Sequence, residues 1–134
     1  MTEPTSIRLG DAPHVRAVDG SDVSVLLALE GGSMAHFALE AGRVSRAIEH
    51  RTVSEIWFVL AGRGEMWRRA GSVAAEASIV SLEPGVCLTI PVGTRFQFRA
   101  QGDEPLGVVA VTMPPWPGDD EAIPVDGCPA WTGE

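Results

Sequence analysis

Residues 42–62, GRVSRAIEHRTVSEIWFVLAG, decide the fold. Within them residues 53–61 (VSEIWFVLA) are rich in β-branched and aromatic side chains and stop at Gly62, which reads as a strand ending in a turn. Strand side chains alternate between faces. Glu55, Trp57 and Val59 therefore share one face, and Ile56, Phe58 and Leu60 share the other. Both faces are apolar, so both need cover, from a second sheet, another segment or another subunit.

Working outward, the same pattern recurs. Residues 23–30 (VSVLLALE) lie between Asp-Gly-Ser and Gly-Gly, and residues 34–40 follow, ending at Ala41-Gly42. After Gly62-Arg63-Gly64, a hairpin signal, residues 65–69 return. Residues 73–82, 86–90, 95–100 and 106–113 complete the series. The Ala-rich stretch 70–78 sits between two clear strands with no capping box, so it is read as strand and not helix. Short strands punctuated by Gly and Pro roughly every ten residues predict an all-β sandwich or barrel. Helix should make up less than about a fifth of the chain. From Pro114 the composition changes. Pro114-Pro115-Trp116-Pro117 cannot be a central strand. The expected division is a barrel of residues 1–113, with strands from about Ile7 to Met113, and an extended Pro-rich arm of residues 114–134. Trp116 and Trp131 suggest that the arm packs on the barrel or on a partner subunit.

The bulk properties limit function. The 134 residues make one domain, and 45% hydrophobic residues suffice for a core without staples. No apolar run is long enough to cross a bilayer, and residues 1–4 do not begin a signal peptide, so a cytoplasmic location is expected. Cys87 and Cys128 are read as reduced thiols, Cys87 as a buried and inert one. A net charge of -8 argues against nucleic acid and membrane partners. The chain has no Lys, Tyr or Asn, which excludes a Schiff-base lysine and a tyrosine general acid. Chemistry is left to His14, His36, His50, the carboxylates, Arg, Ser/Thr and the two Cys.

Two segments resemble the paired motifs of the cupin family. The first motif reads Gly, five residues, His-x-His, three or four residues, Glu, six residues, Gly. Here Gly42, His50, Glu55 and Gly62 fit, with Ile48 at the first His position. The second reads Gly, five residues, Pro-x-Gly, two residues, His, three residues, Asn. Here Gly85, Pro91 and Gly93 fit, with Phe96 at the His position and Ala100 at the Asn position. The resemblance spans residues 42–100. It implies a double-stranded β-helix, or jelly-roll barrel, often dimeric. In the family three His and one Glu hold a divalent transition metal. Only His50 and Glu55 remain of that set, and two protein ligands rarely hold such an ion. No cofactor is therefore assigned, and a weakly bound divalent transition metal on His50 and Glu55 stays open as an alternative.

Alternation then places Ile48 and His50 on the inner side of one motif, and Phe96 and Phe98 on that of the other. The expected cavity is an apolar box of Ile48, Trp57, Val59, Phe96 and Phe98 around His50 and Glu55, a composition suited to a small-molecule ligand. Arg46, Arg51 and Arg95 in adjoining loops are candidates to face an anion. His50 and Glu55 are read either as a catalytic pair, Glu55 holding the His50 tautomer, or as a structural hydrogen-bonded pair. The apolar residues are ligand platform or core. The facing of His36 is left open, His14 is assigned to a surface loop, and Asp119-Asp120-Glu121 to solvated surface. Three functions compete: metal-independent proton transfer of the isomerase, cyclase or lyase type, a non-catalytic small-ligand module, and a metal-dependent oxygenase or isomerase with an atypical ligand shell. The outward face Ile56-Phe58-Leu60 adds the expectation of a homodimer.

Overall fold

The computed structural model describes residues 3–71 and 76–131. It contains no α-helix among these residues, only a 3-10 turn at Leu9–Asp11. No helix of the described residues is long and apolar enough to cross a membrane. Among the described residues eleven strands run in the order β1 (His14–Arg16), β2 (Asp22–Leu29), β3 (Gly32–Leu39), β4 (Ile48–His50), β5 (Ser54–Ala61), β6 (Arg63–Arg69), β7 (Ser78–Leu82), β8 (Cys87–Ile90), β9 (Arg95–Gln101), β10 (Leu106–Met113) and β11 (Ala122–Pro124). Of the stretch expected as strand over residues 73–82, Ser78–Leu82 forms β7, Glu76 and Ala77 lie outside it, and residues 73–75 lie outside the described residues.

The strands make two antiparallel sheets, ordered β1-β2-β3-β10-β5-β8 and β11-β4-β9-β6-β7. This is the expected all-β jelly-roll. β5 lies between β10 and edge strand β8, and its inward residues Trp57 and Val59 are both fully buried. They meet Ile48, Met66, Phe96 and Phe98 from the smaller sheet. Fully burying one such side chain is worth about 1.5–3 kcal/mol, so these packed inner faces dominate the stability. The turns between strands demand glycine at specific points. Gly62 has φ +78, and a Cβ there would run into the Pro105 carbonyl at the β5–β6 turn. Gly93 has φ +81, in the turn that brings β8 into β9.

The chain after residue 113 lies along the smaller sheet. β11 pairs antiparallel with β4, Ala122 opposite His50, and forms the sheet edge, where Pro124 costs no ladder bond. Trp131 and Cys128 pack with Trp67 on the outer side of that sheet, and the Arg99 guanidinium lies 4.5 Å over the Trp131 ring. Gln97 fixes this end: its Oε1 accepts the Cys128 N–H at 2.9 Å.

The outer face of the larger sheet receives no such cover from the described residues. Phe58 and Leu60 remain 43% and 50% exposed, with Ile56 and Met34 beside them. His36 is on this face. It pairs with Val109, which pairs onward with Phe58, and its Nε2 lies over Gly107. Phe37, of opposite parity, turns inward onto Trp57 at 5.2 Å between ring centroids. The question of His36's facing is thus answered by strand parity: it points away from the barrel interior. His14, assigned to a loop, stands in edge strand β1 with its Nδ1 3.3 Å from Ser24 Oγ. Cys87 is not the buried thiol expected. It occupies edge strand β8 opposite Phe58 with outward parity and is exposed.

Candidate functional site

His50 ends β4, and Glu55 is the second residue of β5. Only Arg51, Thr52 and Val53 separate the strands. This short connection swings the two inward side chains toward each other across the gap between the sheets. His50 is 4% exposed and Glu55 is 2% exposed. His50 Nδ1 and Glu55 Oε2 lie 3.9 Å apart, and neither atom has a hydrogen-bond partner among the described residues. The expected hydrogen bond from imidazole to carboxylate is therefore not made, because 3.9 Å is too long. Glu55 is instead held from its other oxygen: the Trp57 indole N–H donates to Oε1 at 2.7 Å. This bond joins residues i and i+2 on one face of β5.

Aromatic rings enclose the pair. His50 meets Phe96 edge-on at 5.2 Å and Trp116 edge-on at 5.1 Å, and Trp57 contacts Phe98 at 5.1 Å. The five residues expected to line a box, Ile48, Trp57, Val59, Phe96 and Phe98, are all buried and packed on one another. On the remaining side, buried Thr112 stands opposite both Glu55 and Ser33 on neighbouring strands, its hydroxyl bonded to that of Ser33. A cleft of about 90 Å³ lined by residues including Arg16, Asp22 and Arg43 lies elsewhere. So does an open hollow of about 480 Å³ lined by Arg95, Pro124, Val125 and Asp126.

Burial without partners sets the protonation states. Desolvation raises the Glu55 carboxyl to about 7, against the Trp57 hydrogen bond, with the charges of Asp19 and Glu121 adding to the rise. Desolvation lowers His50 to about 4, against the attraction of Glu121. Near neutrality the site thus holds a neutral imidazole beside a carboxyl that is about half protonated.

Other expected residues fall differently. Glu121 is not solvated surface. It is 3% exposed and accepts the N–H groups of Thr52 and Val53 at 2.7 and 2.8 Å and the Thr52 hydroxyl at 2.7 Å. Those are the donors of the loop joining His50 to Glu55, so Glu121 fixes the spacing of the pair. Nothing in an acidic run announces that one member is buried. The neighbour Asp120 is exposed and pairs with Arg51 at 3.3 Å. Arg95 pairs with Glu49 at 3.7 Å. Ser33, Thr112 and Trp116 complete the site. Of these, Thr112 was legible by parity: a Thr of inward phase in the apolar run of β10.

The donor set does not suit a transition metal. Ile48 and Phe96 stand where two imidazoles would be needed, and no group of three or more His, Cys, Asp or Glu among the described residues is placed to hold an ion. Ile48→His combined with Phe96→His should raise nickel or manganese affinity at least about tenfold in a titration, as the ligand count rises from two to four. The loss of the Phe96 ring should cost about 1–3 kcal/mol of stability.

A jelly-roll barrel with a polar pair in an apolar interior defines a class of protein, and comparison specifies it. The cupin domain model matches residues 35–112, more than half of the chain. The chain belongs to the cupin family. No curated protein matches it in sequence. Among solved structures, a point variant of Streptomyces Pac13 with uridine is 16% identical at TM-score 0.71, over 95% of this chain and 93% of that one. Pac13 is described as a nucleoside dehydratase. KdgF from Halomonas sp. is 15% identical at TM-score 0.68, over 82% and 94% of the chains. The oxalate decarboxylase of Lactobacillus farciminis, in a formate complex, is 15% identical at TM-score 0.74, over 93% of this chain and 37% of that one. At these identities the likeness is one of fold.

Proposed function

We propose that this protein is a small-molecule cupin that moves protons without a metal, using His50 as base and Glu55 as acid. The observation that carries this reading is the facing pair of unsatisfied atoms, His50 Nδ1 and Glu55 Oε2, 3.9 Å apart. A buried polar atom without a partner costs about 1–3 kcal/mol, so an unpaired couple is a site waiting for a third group. One substrate can face both atoms, its hydroxyl toward Glu55 Oε2 and the neighbouring C–H toward His50 Nδ1. The protonation states suit a lyase: neutral His50 takes a proton from carbon, Glu55 gives its proton to the departing hydroxyl, and an alkene and water result. That a nucleoside dehydratase shares the fold is consistent with this class. Ile48, Trp57, Val59, Phe96 and Phe98 supply the apolar wall that holds the imidazole neutral and raises the carboxyl.

The test is uptake of deuterium from D2O. Uridine and related hydroxyl-bearing ring compounds are incubated with the protein and followed by mass spectrometry. Exchange at a carbon beside the hydroxyl-bearing carbon, or elimination of water, is the expected result. Binding without exchange or elimination would overturn the catalytic reading and leave a binding module.

We further propose that the protein is a homodimer through the face of Met34, Ile56, Phe58 and Leu60, which the chain itself leaves exposed. Phe58→Asp should give the monomer mass in light scattering at micromolar concentration while wild type gives twice that mass. A monomeric wild type would refute it.

A further inference from the structure

The two rings against His50 are held very differently. Phe96 is core, 1% exposed, in β9. Trp116 belongs to no strand and is 42% exposed. Its backbone N–H donates to Ser33 Oγ at 2.9 Å, and no other hydrogen bond holds residues 114–117 among the described residues. The chain on either side is tied far more firmly. β10 pairs with both neighbours as far as residues 112 and 113. From Glu121 onward the chain is held by three hydrogen bonds, then by β11, then by the Trp131 cluster. Gly118, at φ +146, sits between the loose and the fixed parts. Trp116 packs on the ring of His50, whose Nδ1, like Glu55 Oε2 facing it, is buried and lacks a partner among the described residues.

We propose that residues 114–120 form a displaceable flap whose Trp116 indole occupies the entrance to His50 and Glu55, and that the ligand carries a flat ring that takes the indole's place. This rests on the reading of His50 and Glu55 as the working pair. The indole meets His50 edge-on, a geometry that any planar ring of similar size reproduces. Opening costs the Trp116 N–H bond to Ser33 and one ring contact, with the exposed Arg51–Asp120 pair and the bond from the Glu121 N–H to the Gly118 carbonyl at its far end. An entering ring with a hydroxyl regains the contact and gives the two orphan atoms a partner.

Diethyl pyrocarbonate, which acylates neutral imidazole, tests the flap without any substrate. His50 is neutral at pH 7, so protonation does not limit its reaction. Its modification rate, read by peptide mass spectrometry, should be slow in wild type and rise about tenfold in Trp116→Gly. Ser33→Ala, which removes the flap's hydrogen bond together with the Ser33–Thr112 bond, should raise it by a smaller factor, about threefold, and serves if Trp116→Gly folds poorly. His36, half-buried on the outer face, reports general loosening and should not change. Free indole should restore slow modification of His50 in Trp116→Gly. An unchanged His50 rate in both variants, or a rise matched by His36, would overturn the flap. Failure of indole to protect would overturn the flat-ring ligand. Neither result touches the His50–Glu55 pair, which is tested by turnover.

Discussion

Glu55→Gln and His50→Gln should tilt the pH dependence of stability in opposite directions, each by about 3 kcal/mol relative to wild type. The Glu55 carboxyl is raised from 4.5 to about 7, so the folded state holds a proton that the unfolded state releases. Its contribution is therefore lost as pH rises from 4.5 through 7. The His50 imidazole is lowered from 6.5 to about 4, so the unfolded state gains a proton that the folded state refuses. Its contribution is lost as pH falls from 6.5 through 4. Between pH 4.5 and 6.5 the two trends cancel in wild type. Removing Glu55 should make the protein gain on wild type as pH rises, and removing His50 should make it gain as pH falls. Asp19, raised by its burial, and Glu121, lowered by its hydrogen bonds, titrate in all three proteins and drop out of the differences to first order. Urea unfolding across pH 4 to 7.5 measures both tilts. If the pair were an ion pair, the carboxyl would be lowered and the imidazole raised, and both tilts would reverse.

The fold was legible because two kinds of signal agreed. Residues 53–61 and 106–113 carry β-branched and aromatic side chains, and their expected limits fall within a residue of β5 and β10. Gly62 and Gly93 mark turns at positive φ, which residues with a side chain rarely adopt. Strands β1 and β11 were invisible. Three residues show no period, and β11 exists only because β4 offers it an open edge. Its pairing is a tertiary fact.

The site was legible in its inward residues and not in its connections. Period-two alternation brings Ile48 and His50, Glu55 and Trp57, and Phe96 and Phe98 inward, because a strand's side chains have no third direction. Alternation gives no distances, so a hydrogen bond between His50 and Glu55 looked natural. The actual partner of Glu55 is Trp57, two residues along the same strand, where the bond depends on the indole's rotamer. Glu121 and Trp116 come from the arm and reach the site only through the path of the chain after Met113. Cys87 reads as apolar in sequence but sits on the exposed parity of an edge strand. In each case pattern gives the face, and only packing gives the neighbour.

His50→Ala should lower deuterium wash-in, or elimination, by about 10³-fold with the fold intact, the usual worth of a positioned general base being about 10²–10⁴. No other side chain can replace it. His36 is on the opposite face of its sheet and His14 is at the outer edge, so neither approaches Glu55. Glu55→Gln should cost less, about 10², because an amide still hydrogen-bonds the hydroxyl although it cannot give up a proton. The pH profile of wild type supplies an independent check. Activity should fall below about 4 as His50 protonates and above about 7 as Glu55 ionises, giving a bell between the two. Trp57→Phe removes the hydrogen bond that holds the Glu55 carboxyl down. The alkaline limb should therefore move to higher pH while the acid limb stays. A purely structural pair predicts none of this: His50→Ala would then lose stability and keep its turnover, and Trp57→Phe would leave the limbs where they are.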